Sequence, residues 1–348
     1  MRNWKLFLLP VCAILILSAC GKTSMTSDEI PERYAVGVVR TSGSENNSSI
    51  LYLDGNLQQT GVTHYPYATM GQTFYSPIIY EQSLYIVPQG QANKKDEKVI
   101  LQQDLETFEL QHYSLDQIAI YGLSVDSSAI YAVNNINGQS FVSRIDKADR
   151  TVKTAVYDDI YVSAAYVYRD TLYAFSSQST PSGMKGILHC LDPITLKELK
   201  RIDISAFGCD VYSVAGADNI LYFAPMMTPQ GAFSQVVCAY NITSEEIRAV
   251  TFSDEVFHIL KADDKLYVTH GNLVTCEGTN LSVYEMGTNH FRTYDLGMWP
   301  QQITIHGDDL YVMSMDSVAK FNIQTMEKQA EVSIPLEDGC YLSGIFSH

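Results

Sequence analysis

Short runs of β-forming residues recur along this chain, separated by polar turn-rich stretches, and one motif returns at a nearly constant interval. An apolar residue or Arg precedes Tyr, and a few strand-forming residues follow. The copies are Arg33-Tyr34-Ala35-Val36, Leu84-Tyr85-Ile86-Val87, Ile130-Tyr131-Ala132-Val133, Leu172-Tyr173-Ala174-Phe175, Leu221-Tyr222-Phe223-Ala224, Leu266-Tyr267-Val268-Thr269 and Leu310-Tyr311-Val312-Met313. Their tyrosines stand 51, 46, 42, 49, 45 and 44 residues apart. The chain carries 23 tyrosines in all, a residue suited to half-buried strands because its ring packs while its hydroxyl reaches a polar partner.

Two further markers run in phase with the motif. Asp104, Asp192, Asn241 and Asn322 each open a short turn, with Asp146 and Glu285 as weaker copies. An Asp or Asn side chain can accept from backbone two residues on and so close a tight hairpin. Ahead of the tyrosines, Arg169-Asp170, Asp218-Asn219, Asp263-Asp264 and Asp308-Asp309 read as turns between a first and a second strand. Each repeat is therefore four short strands, the content of one propeller blade. Residues 300–333 show a full copy: Gln301–His306, Leu310–Ser314, Val318–Asn322 and Lys328–Ile334. One inner strand, Cys340 to Phe346, is left over at the end, and Tyr34–Val39 at the start reads as a second strand lacking its first.

Joining these halves in one blade closes the ring without an exposed edge. The expectation is an all-β fold, a seven-bladed β-propeller of four-stranded antiparallel blades, occupying residues 33–348. An eighth blade would need another copy, for which 55–74 is too short, and a β-sandwich would not repeat at this period. The pattern resembles the quinoprotein-like and WD-type propellers of exported bacterial proteins. It departs from the quinone enzymes, which carry a tryptophan in most blades; here only Trp4 and Trp299 occur, so pyrroloquinoline quinone is not expected. The Trp-Asp ending of WD repeats is missing too.

The N-terminus follows different rules. Arg2 and Lys5 precede an apolar run from Leu6 to Leu17, interrupted by Pro10 and short for a bilayer span. Leu17, Ser18, Ala19 and Cys20, followed by Gly21, resemble a bacterial lipobox. That resemblance implies cleavage after Ala19, lipidation of Cys20, and a location on the extracytoplasmic face of a cell membrane. Residues 1–19 are then a removed signal peptide and 20–32 a polar flexible tether.

Composition narrows the function classes. A content of 46% hydrophobic and 18% charged residues is that of a globular protein. The net charge of −16, or −18 once Arg2 and Lys5 leave with the signal, disfavours nucleic acid as a partner. Cys190, Cys209, Cys238, Cys276 and Cys340 show no zinc or redox spacing; buried thiols are expected, with one disulfide left open. Phosphate-loop, Rossmann, nucleophile-elbow and zinc-helix motifs are absent, and the histidines are scattered, with His258 and His306 on inner strands.

One constellation invites a ligand. Asp116, Asp159, Asp210, Asp254, Gln301 and Asp338 stand just before or at the start of successive inner strands, where ring symmetry could aim them at one channel mouth as a calcium-type site. Exposed turn aspartates are the plainer account. The loops between second and third strands gather at the same mouth: Gln89–Glu97, Asn134–Ser140, Ser176–Lys185, Pro225–Phe233 and His270–Asn280, with Met226, Met227 and Phe233 as apolar points. A membrane-tethered scaffold for a protein or small ligand is the expected function. A metal-assisted hydrolase or lactonase and an envelope-assembly component are the alternatives.

Overall fold

The computed structural model describes residues 27–43, 45–89 and 98–347. Among them there is no α-helix, and the chain forms seven antiparallel blades around a central channel. Blade 2 comprises Ile78–Tyr80, Ser83–Ile86, Val99–Asp104 and Leu110–Ser114; blade 7 comprises Gln302–His306, Asp309–Met313, Ser317–Asn322 and Lys328–Ser333. Blades 3 to 6 begin with the inner strands Ile120–Val125, Tyr161–Tyr168, Cys209–Ala217 and Val256–Ala262. Blade 1 is built from both ends of the ring: Tyr341–Ser347 is its inner strand, and Val36–Thr41, Ser48–Leu53 and Gln59–Tyr65 complete it. Within the stretch read as a tether, Ser27–Glu29 adds a fifth strand on the outer edge of that blade, opposite Val62 and Thr63.

One rule of register runs through the ring. The motif tyrosine of the second strand sits opposite the third-strand residue two places before the turn residue. Tyr85 faces Gln102, Tyr131 faces Arg144, Tyr173 faces Cys190, Tyr222 faces Ala239, Tyr267 faces Val283 and Tyr311 faces Lys320. All six tyrosines are 5% exposed or less, so each fills the contact between neighbouring blades. The turns behave as their side chains dictate. Asp192 Oδ1, for instance, accepts from the backbone N–H of Ile194 (3.1 Å) and Thr195 (2.6 Å), and Asn241 and Asn322 do the same for their own turns.

Blade 1 corrects the sequence reading at one point. Its turn residue is Asp54, whose Oδ1 accepts from the N–H of Asn56 and Gln58, and the residue opposite Tyr52 is Gly37, not Tyr34. The motif position of blade 1 is therefore Gly37, three residues beyond Tyr34, which is why the interval from Tyr34 to Tyr85 is the longest. A side chain has no room there: a Cβ on Gly37 would stand 2.1 Å from Cζ of Phe346, on the terminal strand. Phe346 is 2% exposed and occupies the space a motif tyrosine would take. Tyr34 instead packs edge-on against Tyr52, with ring centroids 4.8 Å apart.

Side chains of the inner strands bond the backbone of the adjacent inner strand and stitch the ring together. Ser124 Oγ accepts from Val167 N (2.9 Å) and Tyr166 Oη from Gly216 N (3.2 Å). Ser213 Oγ accepts from Ile259 N (2.9 Å) and donates to Ile259 O (3.1 Å). Gln302 Oε1 accepts from Ile345 N (3.2 Å), and Ser347 Oγ donates to Ile305 O (2.7 Å). Between blades 1 and 2 the buried Tyr52, Thr63, Tyr65 and Gln103 close a loop of hydrogen bonds, leaving those polar groups satisfied inside an apolar interface.

Candidate functional site

Antiparallel topology puts the outer-to-inner connections and the second-to-third-strand loops on one face of the ring. The connection leading into blade 2, residues 71–77, lies across the channel at that loop face. Gln302 of blade 7 donates through Nε2 to the carbonyls of Gln72 (2.9 Å) and Thr73 (3.3 Å). Tyr75 donates its hydroxyl to Ser163 O of blade 4, and Phe74 and Tyr75 pack on the Tyr212 ring of blade 5 at 5.2 and 5.6 Å. The Tyr75 and Tyr212 hydroxyls are pushed well above the usual tyrosine range, first by burial and then by the neighbouring Tyr161. They act as hydrogen-bonding groups, not as acids.

Beside this plug lies an apolar cluster that belongs to no blade-to-blade core. Met226, Phe257 and Trp299 are its buried members, with Phe74, Met227, Phe233, Leu273 and Cys276 packed around them. These residues come from loop-face segments of blades 2, 5 and 6 and the entry to blade 7. Phe257 and Trp299 stack with centroids 6.0 Å apart, and the buried Trp299 Nε1 has no partner. Val274, adjoining Leu273, is 81% exposed.

Below the plug the channel encloses a cavity of about 710 Å³, bounded by all seven inner strands. His258, 8% exposed, lines it. Burial lowers its pKa from the ordinary 6.5 to about 4, so the imidazole is neutral at physiological pH.

The six residues singled out from sequence are spread around the ring. Asp116, Asp159 and Asp338 are exposed on turns. Asp210 lies in its inner strand with φ 55°, its N–H donating to Ser177 Oγ. Asp254 accepts from Asn280 Nδ2 (2.9 Å), and Gln301, 4% exposed, donates to Leu342 O (3.3 Å). Among the described residues no three His, Cys, Asp or Glu side chains are grouped closely enough to hold a metal ion. His306 is exposed at the far end of its strand. Two of the expected loops are mostly strand: Thr171–Thr180 and Gly183–Leu191 pair through Ser176–Lys185, and Ala129–Ile136 and Gln139–Asp146 leave only Asn137 and Gly138 as a turn. Residues 90–97 lie outside the described residues, as do Cys20 and the rest of 1–26.

A row of polar side chains in blade 4 has the connectivity of a catalytic triad. Ser176 Oγ is 2.7 Å from His189 Nε2, and His189 Nδ1 is 2.5 Å from Glu198 Oε2. Such a nucleophile needs a space about 3 Å away for the reacting carbon. Ser176 is 2% exposed, His189 is fully buried, and neither borders the channel cavity. Burial lowers the His189 pKa despite the carboxylate. Blade 6 repeats the theme without an acid: His270 Nε2 meets Ser282 Oγ at 2.7 Å, which in turn meets Thr293. Both rows satisfy polar groups across a sheet, a structural role. The five described cysteines are free thiols.

No family model and no curated protein matches this chain in sequence. Solved structures do match in shape. A functionally unknown protein from Desulfotomaculum acetoxidans superposes with a TM-score of 0.61 at 11% identity, over 90% of this chain and 99% of its own. Apo AztD from Citrobacter koseri gives 0.55 at 9%, over 91% and 98%, and BamB from Moraxella catarrhalis 0.50 at 12%, over 93% and 95%. Identities this low establish the shared architecture and nothing finer. The chain is a seven-bladed β-propeller.

Proposed function

We propose that this chain is a membrane-tethered extracytoplasmic lipoprotein whose propeller is a binding scaffold, with the loop face over blades 5 and 6 as its docking surface for a protein partner. The lipobox resemblance at Cys20 supports the tether. The observation that carries the docking surface is the apolar cluster of Met226, Phe257 and Trp299, which sits on the loop face, away from the blade-to-blade cores, beside the 81% exposed Val274. Exposed apolar groups gathered on one face mark interaction sites. Around the buried trio this face presents half-buried Met227, Phe233 and Leu273 and the exposed Val274, and Trp, Phe and Met are enriched at interface centres. The turn face lacks a comparable cluster among the described residues.

A photo-crosslinking residue placed at Val274, and in a separate variant at Asp170 on the turn face, tests this in membranes of the producing cell. The reading expects a discrete adduct of higher mass from position 274 and none from 170. Adducts from 170 alone, or from neither, would overturn the assignment of the loop face.

A further inference from the structure

The channel contains polar groups that the stitching of the ring leaves unused. Ser213 faces Ala224, His258 faces Thr269 and Gln302 faces Met313, each opposite the residue two places after the motif tyrosine. At this shared level Ser213 and Gln302 bond the backbone of the next blade. His258 does not: its Nδ1 is buried and unpartnered, and so are Gln72 Nε2 and Ser76 Oγ. All three residues line the same cavity. Leaving a buried polar atom unpaired costs about 1–3 kcal/mol, so three in one cavity mark a place where something else supplies the partners.

The charge of the cavity restricts what that can be. The whole chain has 39 acidic against 23 basic residues, yet among the described residues no Asp or Glu lines the cavity, and the one ammonium is that of Lys261. A cation would find no counter-charge there. Lys261 lies three residues beyond His258 on the same strand, a rise of about 10 Å, toward the turn face. Between these ends the walls are mainly aliphatic side chains and tyrosine rings, Tyr75, Tyr121 and Tyr212 among them, with the hydroxyls of Ser213 and Ser347 already bonded to backbone. A volume of about 710 Å³ falls within the usual range for small-molecule sites.

We infer that the channel binds a small planar ring compound, neutral or singly anionic, with hydrogen bonds to Gln72, Ser76 and His258 at the plugged end and its other end toward Lys261. The site is separate from the loop-face docking surface and stands without it.

Three indoles of matched size and different charge test it by isothermal titration on the full chain in nonionic detergent, with detergent blanks subtracted. Indole-3-acetate and indole-3-acetamide should bind saturably, and tryptamine at least about tenfold more weakly. Gln72→Ala and His258→Phe should each weaken the two binders by about tenfold, the worth of one hydrogen bond. Should His258→Phe fail to give a folded circular-dichroism spectrum, Gln72→Ala decides alone, since its Nε2 bonds nothing in the free protein. No saturable heat with either expected binder, equal affinity for tryptamine, or wild-type affinity in Gln72→Ala overturns the inference and leaves a water-filled channel.

Discussion

The closing blade makes a demanding prediction, because its register rests on one glycine and one phenylalanine from opposite ends of the ring. A Cβ on Gly37 would lie 2.1, 2.5 and 2.7 Å from three ring atoms of Phe346. The ring cannot swing away cheaply, since Phe346 is 2% exposed and its strand is held by the ladder from Val36–Ser347 to Thr41–Tyr341. Gly37→Ala should therefore cost about 1–3 kcal/mol as overpacking, and Phe346→Ala about 3–5 kcal/mol as a cavity. If the two act independently, the double variant loses about 4–8 kcal/mol, comparable to the whole stability of many domains. The structure predicts otherwise. With the Phe346 ring gone, the methyl group introduced by Gly37→Ala has room, so the double variant should cost no more than Phe346→Ala alone, a coupling of about 1–3 kcal/mol. Urea unfolding of the full chain, followed by far-UV circular dichroism with an unchanged m-value, measures all three. Additive losses, or a Gly37→Ala variant within about 0.5 kcal/mol of the parent, would refute the register assigned to blade 1.

His258 and the cysteines give two more tests. The imidazole is held neutral down to about 4 when folded, against 6.5 when exposed, so the unfolded chain binds the extra proton first. His258 should therefore destabilise the fold as pH falls from about 6.5 to about 4, by roughly 3 kcal/mol in total, and no further below that. The stability difference between the parent and His258→Phe, measured by urea unfolding across that range, should change by this amount; a flat difference would contradict the buried neutral state. Burial raises the thiols of Cys190 and Cys209 to about 11 and that of Cys238 to about 12. Iodoacetamide should label the half-buried Cys276 and Cys340 first, and peptide mapping that found Cys238 labelled early in the native protein would count against the interior packing.

What could be read from sequence was what repeats locally. Six motif tyrosines and their Asp, Asn or Glu turns could be aligned because each pairing lies within one blade, between strands adjacent in sequence. The first copy misaligned for a physical reason: at ring closure Phe346 supplies the bulk from the other end of the described chain, so Gly37 carries no motif to see. The plug was equally hidden. Phe74 and Tyr75 stand in a non-repeating stretch between Gly71 and Pro77, and the Tyr75 bond to Ser163 spans 88 residues. Trp299 entered the sequence reading only as one of two tryptophans, too few for a quinone enzyme, and nothing local marks it as the anchor of the loop-face cluster. The acidic and amide residues before the inner strands share a position in the repeat but not their surroundings: Asp254 accepts from Asn280, Gln301 donates to Leu342 O, and Asp116, Asp159 and Asp338 are exposed.

Location is the part of the account on which the proposed role depends, and one intact-mass measurement addresses it. Protein extracted from the membranes of its own cells should begin at Cys20 and carry the added mass of a diacylglyceryl group on that residue. A chain that keeps Met1, or one cut elsewhere and free of lipid, would contradict the tethered scaffold.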